Sequence, residues 1–157
     1  MLTVDAPPKS FAPFINPEEL VGYDAILFGI TTRFGQFPAQ WTAFWDMTGE
    51  VWSSGGFWKK HAGLFVSTGT QIESGEASCI AAMSTLTHHG LVFVPVDRKA
   101  VIPHLDSPDN PHGGSRWGAG TYAGADGSRQ PSELELQVAE IQGRSFYEHV
   151  ANARSKA

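Results

Sequence analysis

Two short polar segments carry the residue types best suited to binding chemistry. After the apolar residues 25–28 come Thr32, Arg33 and Phe34. After the apolar residues 62–66 come Ser67, Thr68, Gly69 and Thr70. Hydroxyls, a guanidinium and an aromatic face suit a flat ligand with a polar edge, and small hydroxyl residues can donate hydrogen bonds to an anion or a ring carbonyl. An ordinary strand-to-helix turn or a helix N-cap would explain either segment equally well.

A histidine pair and a single cysteine are the other candidates for chemistry. His88 and His89 close a predicted helix just before Gly90, where a histidine can act as a cap or as a ligand. Adjacent histidines project in different directions and no third ligand is evident, so no metal site is predicted. Cys79 falls on the apolar face of the same helix, which predicts a buried thiol.

Three aromatic residues lie in the glycine-rich segment 49–60, which is predicted to be a loop. Trp52 could either cover the domain's own helices or reach a neighbouring subunit or ligand, because aromatics are enriched at buried contacts. For Phe57 and Trp58 the sequence favours packing on the domain itself.

The elements that must position these residues alternate along the chain. Apolar runs at 25–28, 62–66 and 91–94 predict three buried strands, and helices are predicted between and after them. This alternation predicts one α/β domain with a parallel sheet, in which ligands bind at the carboxyl ends of the strands. Both polar segments follow strands, so we expect them to lie side by side.

The termini and the connections are predicted from local signals. Residues 1–15 form an extended lead-in, and Asn16 caps a short helix that begins at Pro17. Residues 97–131 are predicted to be a long glycine-rich loop, which in a compact domain is usually functional. A capping box from Ser132 to Glu135 starts the last helix, residues 132–154.

Composition excludes several classes of protein. The chain has 157 residues, 41% of them hydrophobic, and a net charge of -5 without long charged runs. A basic nucleic-acid-binding surface is therefore not expected. No stretch resembles a secretory signal or approaches the ~20 apolar residues of a membrane helix. The sequence predicts a cytoplasmic protein without a membrane span.

Five motifs, in order and with the right spacing, resemble the flavodoxin-like NAD(P)H:quinone oxidoreductases of the tryptophan-repressor-binding-protein (WrbA) type. They are ITTRFG at 30–35, DMTGEVWSSG at 46–55, STGT at 67–70, LTHHGLVFVP at 86–95 and AGADGSRQPSELE at 123–135. The resemblance implies a flavodoxin-like fold, FMN as cofactor, NAD(P)H as electron donor and a quinone as substrate.

The resemblance also implies roles for individual residues. Thr32, Arg33 and Phe34 match the loop beside the flavin ring, and Ser67, Thr68, Gly69 and Thr70 match the second flavin loop. His88 matches the histidine that faces the flavin. Trp52 matches the tryptophan that closes a neighbouring subunit's active site in a homotetramer.

Two departures from the family pattern bear on FMN. The opening strand–helix–strand portion, with the hydroxyl-rich loop that cradles the FMN phosphate, has no match, so an N-terminally truncated flavodoxin-like sheet is expected. Side chains replace the family's glycines at 71–76, and Glu73 adds a carboxylate. Both changes favour an alternative, a non-catalytic relative that has lost FMN binding and keeps an oligomeric scaffold role.

A homo-oligomer is predicted independently of the resemblance. Trp52, Phe57, Trp58, Trp117 and Tyr122 all fall in predicted loops, and burying a large aromatic is worth ~1.5–3 kcal/mol. Self-association with closed symmetry is a common way to bury such residues. We expect Trp52 and the segment 113–127 at subunit contacts. The strand at 25–28 would present a hydrophobic edge that competes by open association.

Overall fold

The computed structural model describes residues 14–73, 75–105 and 109–155 and is built around a parallel sheet. In chain order its elements are α1 (Pro17–Leu20), β1 (Ala25–Thr31), α2 (Ala39–Asp46), α3 (Gly49–Ser53), β2 (His61–Thr68), α4 (Glu76–His88), β3 (Val92–Phe93), α5 (Arg98–Leu105), β4 (Gly120–Tyr122) and α6 (Glu133–Arg154). A short 3-10 helix, Gln71–Glu73, lies between β2 and α4. The predicted α/β architecture with a parallel sheet is confirmed.

The sheet is three positions wide, although it contains four strands. β1 pairs in parallel with β2 along its full length, from Ala25 opposite His61 to Thr31 opposite Ser67. Because β1 occupies one side of β2, the other side is shared: β3 pairs with the start of β2 and β4 with its end. β3 and β4 are therefore two halves of one interrupted strand.

The interruption corrects the prediction of a structureless loop at 97–131. That segment contains α5 and β4, together with connecting turns. β4 has only three residues and begins at Gly120, so it lacks the apolar period that identifies a strand in the sequence. Its pairing with Val66 and the following residues of β2 is a tertiary contact, which local patterns cannot report.

A buried glutamine bridges the gap between the two half-strands. Gln142 on α6 donates from Nε2 to the carbonyl oxygen of Leu64 at 2.7 Å and accepts at Oε1 from the amide of Ala119 at 2.8 Å. Gln142 is buried, so both backbone groups find a partner away from water. The side chain replaces the backbone ladder where the third strand is missing.

The core lies between one face of the sheet and helices α2, α3 and α4. Phe28 and Ile30 alternate along β1, Leu64 and Val66 alternate along β2, and all four are buried. Against them pack α4, including Cys79, and aromatic side chains of α2 that contact Phe28. The prediction of Cys79 as a core thiol is confirmed.

On the opposite face, large and small residues alternate across the strand pair. Leu27 lies opposite Gly63 and Gly29 lies opposite Phe65. A Cβ on Gly29 would stand 2.4 Å from the Phe65 ring, and one on Gly63 would stand 2.5 Å from Leu27. The Phe65 ring therefore lies over Gly29 and the Leu27 side chain lies over Gly63, where any larger residue would clash. α6 covers part of this face, but Phe65 remains half exposed.

Both predicted caps are present at their helices. The side chain of Asn16 accepts from the amide of Glu19, and Pro17 is the first residue of α1. Ser132 and Glu135 form a reciprocal capping box at the start of α6. Of the predicted lead-in, residues 1–13 lie outside the described part of the chain.

Candidate functional site

Three loops meet at the carboxyl end of the sheet, where β1, β2 and β4 all end. The amide of Thr32 donates to the carbonyl oxygen of Ser67 at 3.0 Å, which ties the first predicted segment to the second. The amide of Ala123 donates to the carbonyl oxygen of Thr68 at 2.9 Å, which adds the loop after β4. The predicted meeting of the two segments is confirmed, and the third loop was missed because β4 was not predicted.

The first loop is a tight turn that displays an aromatic ring. Arg33 and Gln36 exchange backbone hydrogen bonds of 2.9 Å in both directions, and the two residues between them, Phe34 and Gly35, have φ angles of 53° and 72°. A positive φ is strained for a phenylalanine. The turn leaves the Phe34 side chain 95% exposed, with the Arg33 guanidinium 5.6 Å from the ring centroid.

The hydroxyls of the predicted segments serve mainly to fix the loops. The Thr32 hydroxyl is hydrogen-bonded to the hydroxyl of Ser78, a fully buried residue of α4. The Thr68 hydroxyl donates to the carbonyl oxygen of Thr70 at 3.0 Å and is buried. The hydroxyls of Thr32 and Thr68 thus anchor the loops. The backbone, Ser67 and Arg33 are the groups that can donate to a ligand. Ser78 was missed because a serine within a helix gives no signal in the sequence.

A buried carboxylate organises the third loop. Oε2 of Glu135 accepts from the hydroxyl of Thr121 at 3.0 Å, from Nη1 of Arg129 at 3.0 Å and from the amide of Ser132 at 2.7 Å. Its Oε1 accepts from the amide of Gly113 at 2.8 Å. Burial by itself raises the pKa of Glu135, but these hydrogen bonds, with Arg129 foremost, hold the pKa below its ordinary value.

The carboxylate in turn places a cation over an aromatic ring at the end of β4. The Arg129 guanidinium lies 3.8 Å from the centroid of the Tyr122 ring, and its Nη1 also donates to the Tyr122 carbonyl oxygen at 2.9 Å. Tyr122 lies opposite Thr68 in the sheet, so this stacked pair adjoins the second flavin-type loop. Tyr122 is on a strand, not in the loop that was predicted for it.

His88 and Trp52 lie at the other end of the sheet. α4 starts beside the polar loops and has 13 residues, which makes it ~20 Å long. At its far end the carbonyl oxygen of Gly90 accepts from Lys59, just before β2 begins. The Trp52 indole donates to the carbonyl oxygen of His88 at 2.8 Å, so these two residues form one cluster. The structure does not bring them together with Thr32 and Thr68 within one chain.

The second histidine of the pair is structural. His89 has one ring nitrogen 2.7 Å from the Thr48 hydroxyl and the other 2.9 Å from the Thr85 carbonyl oxygen, and its ring packs against Trp45 and Phe57. Phe57 is buried in the core, as predicted. The Trp58 ring packs over Gly90, as predicted, but the side chain remains 65% exposed.

Trp52 lies on helix α3 and not in a loop. It is 55% exposed despite its hydrogen bond to His88, so most of its surface is open to a partner.

The described residues contain no group of three or more His, Cys, Asp or Glu side chains able to hold a metal ion. Among the same residues, no helix is long and apolar enough to cross a membrane.

The residues at the carboxyl end of the sheet fit the ring of a flavin better than its phosphate. The exposed Phe34 side chain offers a ring face, and the Arg33 guanidinium offers a donor to a ring edge. A phosphate dianion needs several donors at a helix N-terminus. The N-caps of α2 and α4 are Pro38 and Gly75, neither with a capping side chain, and the first turn of α4 carries the Glu76 carboxylate. The N-termini of α2 and α4 therefore do not fit a phosphate group.

Comparison with known proteins covers most of the chain. No family model matches the sequence. The Saccharomyces cerevisiae protein named protoplast secreted protein 2 is 58% identical over 144 residues, which is 92% of this chain and 72% of that protein. The Candida albicans NAD(P)H quinone oxidoreductase PST3 is 51% identical over 146 residues, which is 93% of this chain and 73% of that enzyme.

A solved structure supports the fold independently. The WrbA-like flavodoxin from Agrobacterium tumefaciens superposes with a TM-score of 0.64 at 17% identity, covering 86% of this chain and 71% of that one. At this identity the likeness concerns the fold, and it confirms the predicted flavodoxin-like sheet. The identities of about one half, spread over most of each relative, show common descent: the chain belongs to the NAD(P)H quinone oxidoreductase family.

Proposed function

We propose that this protein is an FMN-dependent NAD(P)H:quinone oxidoreductase. The observation that carries the proposal is the joining of three strand-end loops by backbone hydrogen bonds at one end of the sheet. Ligands bind at this end in open α/β folds, particularly where loops of adjacent strands diverge. Relatives of about 50% identity that are named NAD(P)H quinone oxidoreductases support the activity.

The chain's own residues would bind and orient the reactants. Two-electron transfer from NAD(P)H to a quinone is the chemistry that FMN supplies when bound. The Phe34 ring would contact the flavin, and the Arg33 guanidinium would stabilise negative charge at the ring edge. Thr32, Ser67, Thr68, Gly69 and Thr70 would hold the two loops at the spacing that the ring requires.

His88 and Trp52 would act on a different copy of the chain. Because they lie at the amino end of the sheet, they would reach the flavin loops of a neighbouring subunit in a homotetramer. The exposed surfaces of Met47, Trp52 and Trp58 would be buried in that assembly. Trp52→Ala should shift the mass measured by light scattering towards smaller species, whereas Tyr147→Ala, which removes an exposed aromatic from α6, should not. A monodisperse wild-type monomer at high micromolar concentration would contradict the assembly.

An alternative function is a non-catalytic scaffold without FMN. The described residues supply no phosphate-binding loop, and Glu76 places a carboxylate at the start of α4. Titration with FMN separates the two functions. A dissociation constant below 1 μM, about -8 kcal/mol or stronger, would exclude the scaffold reading. Failure to bind FMN under any condition would exclude the enzyme. The cytoplasmic location remains a prediction from the sequence.

Steady-state kinetics test the enzyme directly. In the absence of oxygen, protein reconstituted with FMN should oxidise many equivalents of NADPH or NADH only when a quinone is present to reoxidise the flavin. Phe34→Ala should weaken FMN binding about tenfold, because the variant removes an aromatic contact. Tyr147→Ala provides the matched control and should leave FMN affinity unchanged. If Phe34→Ala bound FMN as tightly as the wild type, Phe34 would have no part in the site.

A further inference from the structure

A cavity opens between α5 and the turn from Ser115 to Gly118. It has a volume of about 360 Å³, which lies within the usual range for small-molecule sites. Its apolar lining includes Val96, Val101, Ile102 and Leu105. Val96 and Val101 are buried and belong to the core beneath α6, so this apolar floor is part of the fixed structure.

Two arginines line the same cavity. Arg98 is the first residue of α5, and Arg116 lies in the turn from Ser115 to Gly118. Neither guanidinium has an ion-pair or hydrogen-bond partner among the residues that the structure describes. The nearest acid along the chain, Asp97, is engaged by the amides of Lys99 at 2.9 Å and Ala100 at 3.4 Å, at the start of α5. Within the described residues, this cavity therefore combines an apolar lining with two guanidinium groups that have no acidic partner.

The turn that carries Arg116 is held firmly. Ser115 and Gly118 exchange backbone hydrogen bonds of 2.9 and 3.3 Å. The Trp117 indole packs against Phe93 and donates to Oε1 of Glu76 at 2.9 Å. Because Glu76 begins the helix that follows the second flavin-type loop, Trp117 links the turn that carries Arg116 to that helix.

We propose that this cavity binds the adenylate half of the reduced nicotinamide dinucleotide. The apolar lining would take the adenine ring, and Arg98 and Arg116 would bind the phosphates, since guanidinium pairs well with phosphate oxygens. The dinucleotide would extend past Trp117, so that its nicotinamide reaches the loops at the carboxyl end of the sheet. The inference rests on the proposed function for the identity of the ligand, and on the cavity for its place.

Calorimetric titration with ADP-ribose, which contains the adenylate and pyrophosphate but no nicotinamide, tests the site without turnover. The wild-type protein should bind it, and the Arg98→Ala, Arg116→Ala double variant should bind at least about tenfold more weakly. The control is Arg144→Ala with Arg154→Ala, which changes the net charge equally but removes two exposed arginines of α6 outside the cavity. Undetectable binding by the wild type, or equal binding by the cavity variant, would overturn the proposal.

Kinetics with two hydride donors give a second, independent test. The cavity variant should raise the KM for NADPH or NADH about tenfold or more, and it should leave kcat and the KM for reduced nicotinamide mononucleotide unchanged, because that donor has no adenylate half. An equal rise for both kinds of donor would place the arginines elsewhere. A wild-type protein without quinone reductase activity would refute the proposed function, and the ADP-ribose titration would still decide whether the cavity binds adenylate.

Discussion

Replacing Glu135 by glutamine should destabilise the fold, although the two side chains have the same shape. The carboxylate accepts four hydrogen bonds, three on Oε2 and one on Oε1. An amide has a single acceptor oxygen, so its NH₂ group must face either the amide of Gly113 or the cluster of donors around Oε2. One part-buried N–H is left facing another donor, and Arg129 loses its counter-charge.

The size of the effect follows from these two losses. An unsatisfied buried donor costs about 1–3 kcal/mol, and a hydrogen bond to a charged group contributes about 1 kcal/mol more than a neutral one. Arg129 is partly open to solvent, which screens its share. The expected loss is therefore about 2–4 kcal/mol of unfolding free energy, a large part of the ~5–15 kcal/mol that stabilises a typical domain.

Urea unfolding followed by tryptophan fluorescence measures this loss. Glu140→Gln on the same helix is the matched control, because its ion pair with Arg144 is exposed on both sides and should contribute at most ~0.5 kcal/mol. Since the pKa of Glu135 lies below its ordinary value, the difference between the variant and the wild type should persist down to pH 5 and shrink only in stronger acid. A loss below ~0.5 kcal/mol, equal to that of the control, would refute the assignment of Glu135 as the residue that organises the third loop.

Three further outcomes follow from buried groups. The pKa of Cys79 is raised to about 11, by burial and then by Glu76, so a thiol reagent at pH 8 should label the protein only at the rate of unfolding; rapid labelling of the folded protein would contradict this. Burial, and then the charge of His149, hold the pKa of His61 below its ordinary 6.5. Just below pH 6.5 the unfolded state therefore binds more protons than the folded state, and the Tm should fall as the pH drops through this window. The fall should be smaller in His149→Gln, and an unchanged pH profile would argue against the histidine pair. Gln142→Leu should cost about 2–6 kcal/mol in urea unfolding, since it leaves two buried backbone groups unpaired at about 1–3 kcal/mol each; a change below ~1 kcal/mol would mean that water replaces the side chain.

The parts of the fold that depend on local patterns could be predicted from the sequence. The caps at Asn16 and Ser132, the paired strands β1 and β2 and the buried Cys79 all follow from neighbouring residues, and the structure contains each of them. The meeting of the first two loops also followed, because the carboxyl ends of parallel strands share one end of a sheet.

Contacts between distant residues could not be predicted in this way. Gln142 hydrogen-bonds a backbone group 78 positions away, and nothing near either residue indicates the pairing. The same holds for β4, which exists because it pairs with β2, and for Ser78, which anchors Thr32 from another element. The separation of His88 from the flavin-type loops depends on the direction of α4 relative to the sheet, which the sequence motif alone does not give.

The central claim is that NAD(P)H and a quinone exchange electrons through FMN held by the loops at the carboxyl end of this sheet. The most direct measurement is flavin absorbance in the FMN-loaded protein, recorded without oxygen, first after one equivalent of NADPH or NADH and then after one equivalent of a quinone. The account predicts that the flavin band disappears in the first step and returns in the second, and that Phe34→Ala needs about ten times the FMN concentration to show the same two changes. A protein that acquires no flavin band from FMN, or one whose band is indifferent to both reactants, would contradict the account.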